Sequence, residues 1–354
     1  MNSLRSILAA TDFSVDGNNA VHRAALLARQ HGARLSILHV VTPAGSNPWR
    51  GWLWRSIDID HESAQARATL RRFADEITSR HDVVAKVEVR IGDADAELLR
   101  ASESVDLLVL GERGNNPFKD LLIGKAAHRL LRTCRTPVLV VKQAAQGPYR
   151  RVLVPIDFTP SSNTAIRSAA SLAAGASIQF FHALSPKREA VLREADVPTD
   201  IIREYRSREE AGARARMRRG VARLGLDSRS TSFALGRGPV VQSTLLQAQA
   251  LDADLIVAGK QRRSKVAGFF LGSVGSRLLA ASRCDTVIVP NPLREPQSSS
   301  AADRNAVIET ASLHRGAATL ADALTSAQAP ATTKHGRQSS QRRPAWAAVA
   351  RLYP

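Results

Sequence analysis

Two stretches of the chain are written on one plan, and together they limit the fold more than any other feature. Residues 106–127 read DLLVLGERGNNPFKDLLIGKAA, and residues 254–275 read DLIVAGKQRRSKVAGFFLGSVG. In both, an apolar run ends in a glycine, Gly111 or Gly259, and a second glycine, Gly124 or Gly272, follows at the same separation. The likeness extends outward: RSILAATDFSVDG near the start matches RRVLVPIDFTPSS from Arg150, which sets Asp157 opposite Asp12. A repeat of domain length signals duplication of a whole domain rather than a solenoid of short units.

Within the first copy, residues 4–10, 34–41, 83–91, 106–110 and 137–141 are short apolar or β-branched runs, the pattern of buried strands. Residues 15–31, 60–80, 94–104 and 121–133 place apolar side chains at helical spacing, and residues 42–59 form a loop rich in Pro, Gly and Trp. The second copy repeats this with strands at 177–184, 231–235, 254–258 and 286–290 and helices at 201–224, 239–250 and 270–282. Alternation of this kind predicts an α/β fold, because parallel neighbours need crossovers and right-handed crossovers put helices on both faces of a parallel sheet. The boundaries so read are 1–143 and 149–291 for two domains, 144–148 for a linker and 292–354 for a mostly disordered basic tail with a short helix at 317–326.

With aromatic residues at 5%, the two cores must be built from Ala, Val, Leu and Ile. The formal charge of +18 favours anionic partners in general, and its excess of arginine follows genome composition as readily as function. Cys134 and Cys284 are too few for a disulfide framework or a metal spacing and read as core-edge residues of a reducing compartment. The start MNSLRSILAATD enters a strand at once, without a signal-peptide apolar region, and no apolar run has membrane-spanning length. The expectation is a soluble cytoplasmic protein.

A glycine after a buried strand lets the backbone come close to a ligand, and a glycine opening a helix leaves amide N–H groups for an anion. Asp12 and Asp157 fall at the carboxyl ends of the first strands, where open parallel sheets place ligand crevices; each carboxylate could hold a ribose or a hydrated cation, or brace the following helix. The glycine stretch is neither a Walker loop nor GxGxxG. A strand ending in Gly, then xxG, nine residues, and Gly plus a small hydroxyl at a helix start resembles the universal stress proteins, and the resemblance covers residues 1–290 as two units, through ILAATDFS and VLVPIDFT, DLLVLG and DLIVAG, PVLVV and TVIVP.

That resemblance implies two consecutive Rossmann-like domains of the adenine nucleotide alpha hydrolase-like type, each a five-stranded parallel sheet with helices on both faces. It also implies ATP as ligand, with Mg²⁺ beside it. The nucleotide contacts carried over are Ala10, Asp12, Val40, Leu110, Gly111, Gly114, Gly124, Lys125 and Ala126 in the first unit. In the second they are Pro155, Asp157, Ala258, Gly259, Arg262, Gly272, Ser273 and Val274. Each unit departs from the pattern once: Lys125 stands where a phosphate-binding hydroxyl belongs, and Arg262 where the middle glycine belongs. Lys125 could neutralise a phosphate or fill the pocket, and Arg262 offers a forked donor while reshaping its loop. Lys260, Arg262, Arg263 and Lys265 make the second site strongly electropositive. The family dimerises through its last strand, so a tandem chain is expected to pair these strands within itself or with a second copy.

No catalytic constellation stands out: His22, His39, His61, His128 and His182 are scattered, and no metal-ligand spacing occurs. Trp49, Trp52 and Trp54 suit packing over the sheet end more than a lid. The arginine-rich helix at 203–223 reads as a solvated basic face, so nucleic acid is the less favoured partner. The expectation is a stress-response protein that binds an adenine nucleotide and acts through conformation or contact with a protein partner. At most it hydrolyses ATP slowly or phosphorylates itself. The alternatives are a nucleotide-free interaction module with degenerate sites, or nucleic-acid binding by the helix and tail.

Overall fold

The computed structural model describes residues 4–42, 55–112, 130–131, 133–226, 229–260 and 273–290, the side chains of 55–58 and 273 excepted. The tryptophan-bearing part of the long loop, most of the expected 121–133 helix, and the tail with its short helix lie outside these residues. Residues 1–291 form one unit by contact and the remainder a second; only the first is described below.

In the first half, β1 (Ser6–Ala10), β2 (Arg34–Val41), β3 (Ala85–Ile91), β4 (Leu107–Gly111) and β5 (Val138–Val141) alternate with α1 (Val15–His31), α2 (Arg55–His81) and α3 (Ala94–Ser102). The second half has β6 (Arg151–Pro155), α4 (Pro160–Leu172), β7 (Ser177–Leu184), α5 (Lys187–Glu194) and α6 (Thr199–Arg223). It continues with β8 (Thr231–Arg237), α7 (Val240–Leu251), β9 (Leu255–Lys260), α8 (Ser273–Ala281) and β10 (Asp285–Pro290). Gly32, at φ 62°, supplies the left-handed residue that ends α1.

Two differences from the sequence reading have physical causes. Helix α2 begins at Arg55, not residue 60, because RSIDID continues the turn without a breaker. Helix α5, KREAVLRE, was not anticipated, since it has almost no apolar period; ion pairs hold it, with Glu189 bonded by Arg206 of α6 (Nε to Oε2, 2.7 Å) and by Arg193 one turn along.

The ten strands among the described residues join one sheet in the order β3-β2-β1-β4-β5-β10-β9-β6-β7-β8. Every pairing is parallel except β5 with β10, where Val138, Leu139 and Val140 face Ile288, Val287 and Thr286. One apolar layer runs unbroken under α1, α2, α4 and α6, from Ile7, Ala9 and Leu70 to Val154, Phe180 and Met217. The other face is covered by α3, α7 and α8, through Leu98, Ala248 and Leu278. No helix among the described residues is long and apolar enough to cross a membrane.

The junction between the halves is polar and buried. Asp285, 1% exposed, accepts from the backbone N of Lys142 (2.8 Å) and the Tyr149 hydroxyl (2.7 Å), and faces the Arg23 guanidinium at 3.3 Å. Arg23 also donates to Gly147 O (2.6 Å) and lies 4.2 Å over the Tyr149 ring. Lys142 Nζ donates to Glu112 (2.6 Å) and to the carbonyls of Leu279 and Ser282 at the end of α8 (2.6 and 2.9 Å). Burial pushes the Asp285 carboxyl above the usual range, and burial with the neighbouring carboxylate pushes the Tyr149 hydroxyl well above its own. By the repeat, Pro137 and Ser168 occupy the places of Asp285 and Arg23, so the pair is made once and the junction is asymmetric.

Where α1 meets the end of α2, His22 Nδ1 lies 2.9 Å from His81 Nε2, with Phe73 edge-on to His22. Burial first, then Arg80, lowers His22; burial, His22, Arg80 and Arg29 lower His81, with Glu76 opposing in both. A lowered histidine binds protons less readily folded than unfolded, so this contact stabilises above the ordinary value of 6.5 and is lost as pH falls through it.

Replacing Asp285 by Ala leaves Arg23 as an uncompensated buried charge and is expected to destabilise by about 3–5 kcal/mol in denaturant unfolding, against ~0–1 for an exposed pair. The double variant His22→Asn/His81→Gln should show a shallower decline of unfolding midpoint between about pH 7.5 and 5.5 than the parent.

Candidate functional site

In each half the first strand lies between the second and the fourth, so the direction of winding reverses beside it: β2-β1-β4 and β7-β6-β9. The crevice beyond the carboxyl ends of strands at such a reversal is where open α/β sheets bind ligands. Ala10, Asp12, Val40, Leu110 and Gly111 all fall at the ends of β1, β2 and β4. Pro155, Asp157, Ala258 and Gly259 fall in the same places on β6 and β9. Ser273 opens α8, and Val274 is 39% exposed on its first turn. Gly114, Gly124, Lys125, Ala126, Arg262 and Gly272 lie outside the described residues.

The turn after the first strand is built alike in both halves. Asp12 Oδ1 accepts from Ser14 N (3.0 Å) and Ser14 Oγ (2.5 Å), and Ser14 Oγ in turn accepts from Gly17 N (3.1 Å) as the N-cap of α1. Asp157 Oδ1 accepts from Thr159 N (3.0 Å), Thr159 Oγ1 (2.6 Å) and Ser162 Oγ (2.6 Å). Each aspartate thus fixes a turn, and the cap position belongs to the hydroxyl residue two places on. Ser162 also accepts from Asp157 N (3.0 Å), and its counterpart is Gly17, where a Cβ would stand 2.8 Å from Asp12 Oδ1.

Between aspartate and cap sits a phenylalanine in the left-handed region, Phe13 and Phe158, both at φ 63°. This conformation costs a non-glycine residue on the order of 1–2 kcal/mol, and its recurrence at one position marks it as part of the design of the crevice mouth. The rings rest on His39 and His182 at 4.4 and 4.5 Å between centroids. Each histidine's Nδ1 is 2.8 Å from a main-chain carbonyl, of Thr11 or Ile156, so Nδ1 carries the hydrogen. In the second half Arg216 of α6 lays its guanidinium 4.1 Å over Phe158, which adds positive charge to that rim.

The strand-end glycines have a different first reason from the one read in the sequence. A Cβ on Gly111 would stand 2.5 Å from the carbonyl carbon of Asp16, and one on Gly259 would stand 2.4 Å from Ser161 O. Neither has a positive φ. The backbone that approaches closely is the first turn of α1 or α4, so these glycines seat the helix whose start forms the crevice wall. A second duplicated carboxylate is purely architectural: Asp106 accepts from Arg5 N and Ser6 N (both 2.9 Å), and Asp254 from Arg150 N (2.7 Å) and Arg151 N (3.1 Å), tying adjacent strands at their amino ends.

Sequence reasoning missed Ser162, the two Phe–His stacks and Ala183 of β7, which stands where Val40 stands in β2; aligning SIQFFHAL with RLSILHVV carries all but Ser162. Among the described residues no group of three His, Cys, Asp or Glu could hold a metal ion. Both cysteines are buried, and burial raises Cys284 to about 12, so that thiol is not a nucleophile at neutral pH.

Comparison with known proteins agrees with the duplication. The chain matches the universal stress protein family twice, over residues 3–142 and 148–290. A universal stress protein of Mycolicibacterium smegmatis is 27% identical over 294 residues, spanning 80% of this chain and 96% of its own. One of Mycobacterium tuberculosis is 25% identical over 314 residues, spanning 81% and 95%. The fold is that of a crystal structure of a universal stress protein from Archaeoglobus fulgidus, with TM-score 0.59 and 21% identity over 81% of this chain and 98% of the other.

Gly259→Ala should push α4 from the sheet and lower stability by about 1–3 kcal/mol in denaturant unfolding, the range for an overpacked site. A glycine kept only for a mobile ligand loop would tolerate the methyl group.

Proposed function

The chain belongs to the universal stress protein family, and from that premise we propose that it binds an adenine nucleotide, ATP with Mg²⁺, and signals its occupancy through conformation or contact with a protein partner. The observation that carries this reading is the duplicated Asp-Phe-Ser/Thr turn at the sheet's point of reversal, braced in advance by its own hydrogen bonds. A carboxylate held there is placed to accept from a ribose or to anchor a hydrated cation, and the backbone N–H groups of the first turn of α8 are the kind of donor that phosphates take. Arg216 and the basic second loop favour a polyanion at the second crevice.

Binding is the whole of the activity in this account. The aspartates are committed to their turns through Oδ1, and among the described residues neither crevice brings a histidine side chain forward as a base, since His39 and His182 hold main-chain carbonyls through Nδ1. Turnover of ATP would then be slow. The pairing of β5 with β10 places both crevices in one chain, as a dimer of single units would place them in two. The domain limits 1–143 and 149–291, the linker 144–148, the tail 292–354 and a cytoplasmic location are parts of the same proposal.

The test is titration calorimetry of ligand-stripped protein with ATP, ADP, AMP and GTP in Mg²⁺. Binding of an adenine nucleotide but not GTP is expected, weakened about tenfold or more when both Asp12 and Asp157 become Ala, a loss of ~1.4 kcal/mol or more. No heat with any adenine nucleotide refutes the proposal.

A further inference from the structure

Arg216 set aside, nucleotide binding leaves one strongly charged feature without a role, the C-terminal half of α6, residues 211–223, AGARARMRRGVAR. Its inward face is Ala213, Met217 and Val221, buried against the sheet. The rest carries Arg214, Arg216, Arg218, Arg219 and Arg223, all exposed, with no acidic residue in the segment. The first half of the helix is neutralised, Arg206 pairing with Glu189 of α5 and Arg208 with Glu204 of α6 itself. None of the five later arginines has an ion pair among the described residues, and Arg216 alone of them has a ring contact, with Phe158.

The equivalent helix of the first half shows how such a surface is ordinarily balanced. There Arg71 and Arg72 are followed four residues on by Asp75 and Glu76, the spacing at which opposite charges stabilise a helix. In α6 the same spacing sets Arg214 against Arg218 and Arg219 against Arg223, two like-charged pairs that destabilise it. An anion laid along this face removes that repulsion.

Geometry narrows the anion. At 3.6 residues per turn, Arg214 and Arg218 lie on one flank and Arg219 and Arg223 on the other, either side of a ridge of Ala211, Ala215 and Ala222. A helix with its side chains is ~10–12 Å across, close to the ~12 Å width of the major groove of duplex DNA, so a helix lying along the groove would set its two arginine flanks against the two phosphate rows. The exposed face has no aromatic residue on which single-stranded bases could stack and no large apolar residue to enter a lipid surface. It also lacks Asn and Gln, which read base edges. We infer that this half of α6 is a docking surface for the phosphate backbone of duplex DNA, independent of base sequence, acting apart from the nucleotide crevices.

The experiment is fluorescence anisotropy of the full chain with a labelled duplex of mixed sequence across a salt series. It compares the parent with Arg214→Gln/Arg218→Gln/Arg219→Gln/Arg223→Gln and with the corresponding fourfold Arg→Lys variant. Expected are binding by the parent, a loss of about tenfold or more in the Gln variant with its log–log salt slope shallower by roughly 3–4, and retention in the Lys variant. Hydrogen exchange on the parent should show added protection over residues 211–223 when duplex is present. The inference is overturned if the parent does not bind at low salt, if the Gln variant keeps the parent's affinity and slope, if residues 211–223 gain no protection, or if single strands or anionic vesicles are bound in place of duplex.

Discussion

The antiparallel pairing of β5 with β10 is the contact on which the rest of the molecule depends. Each half alone would leave a buried, largely apolar strand, VLVV or TVIV, as an open edge, an invitation to pair with any other chain. Joined, the two edges close on one another and a single apolar layer runs beneath both halves. The junction is directed by the buried group around Asp285, whose carboxylate accepts from the Tyr149 hydroxyl and is charge-paired with the Arg23 guanidinium. Since the symmetry-related positions are Pro137 and Ser168, the charges fit one arrangement of unlike halves and not the union of two first halves. Specificity of this kind is a recurring use of buried charge.

From that junction the positions of both crevices follow. Each half winds outward from the shared centre, so its reversal point lies at a middle strand, β1 or β6, with the aspartate turn at the end of it. Helices α1 and α4 are pressed onto Gly111 and Gly259, which sets the crevice wall against the strand. Lys142 ties the residue after Gly111 to the last turn of α8, whose first turn belongs to the second crevice. The two crevices are therefore held in one rigid framework, although their loops differ in charge.

The strands and the duplication were legible because a buried parallel strand must be apolar along its length, and runs such as SILAA and RVLVP have no competing reading. The aspartates and glycines were legible as positions but not as roles. That Gly111 answers to the backbone of Asp16 becomes visible only when a helix distant in sequence is packed against it. Helix α5 escaped because its stability comes from charge partners on α6, not from an apolar stripe. The Asp285 group escaped for the same reason on a larger scale: Arg23, Tyr149 and Asp285 are each unremarkable where they stand, and meet only after the sheet has closed.

The central claim is that the braced aspartate turns are nucleotide sites carried twice on one chain. Native mass spectrometry of the full-length protein, before and after addition of Mg-ATP, tests it most directly because it counts ligands per chain. The account predicts a monomeric mass that gains discrete adenine nucleotide increments and gains none with GTP. A spectrum that stays at the unliganded mass throughout would contradict it.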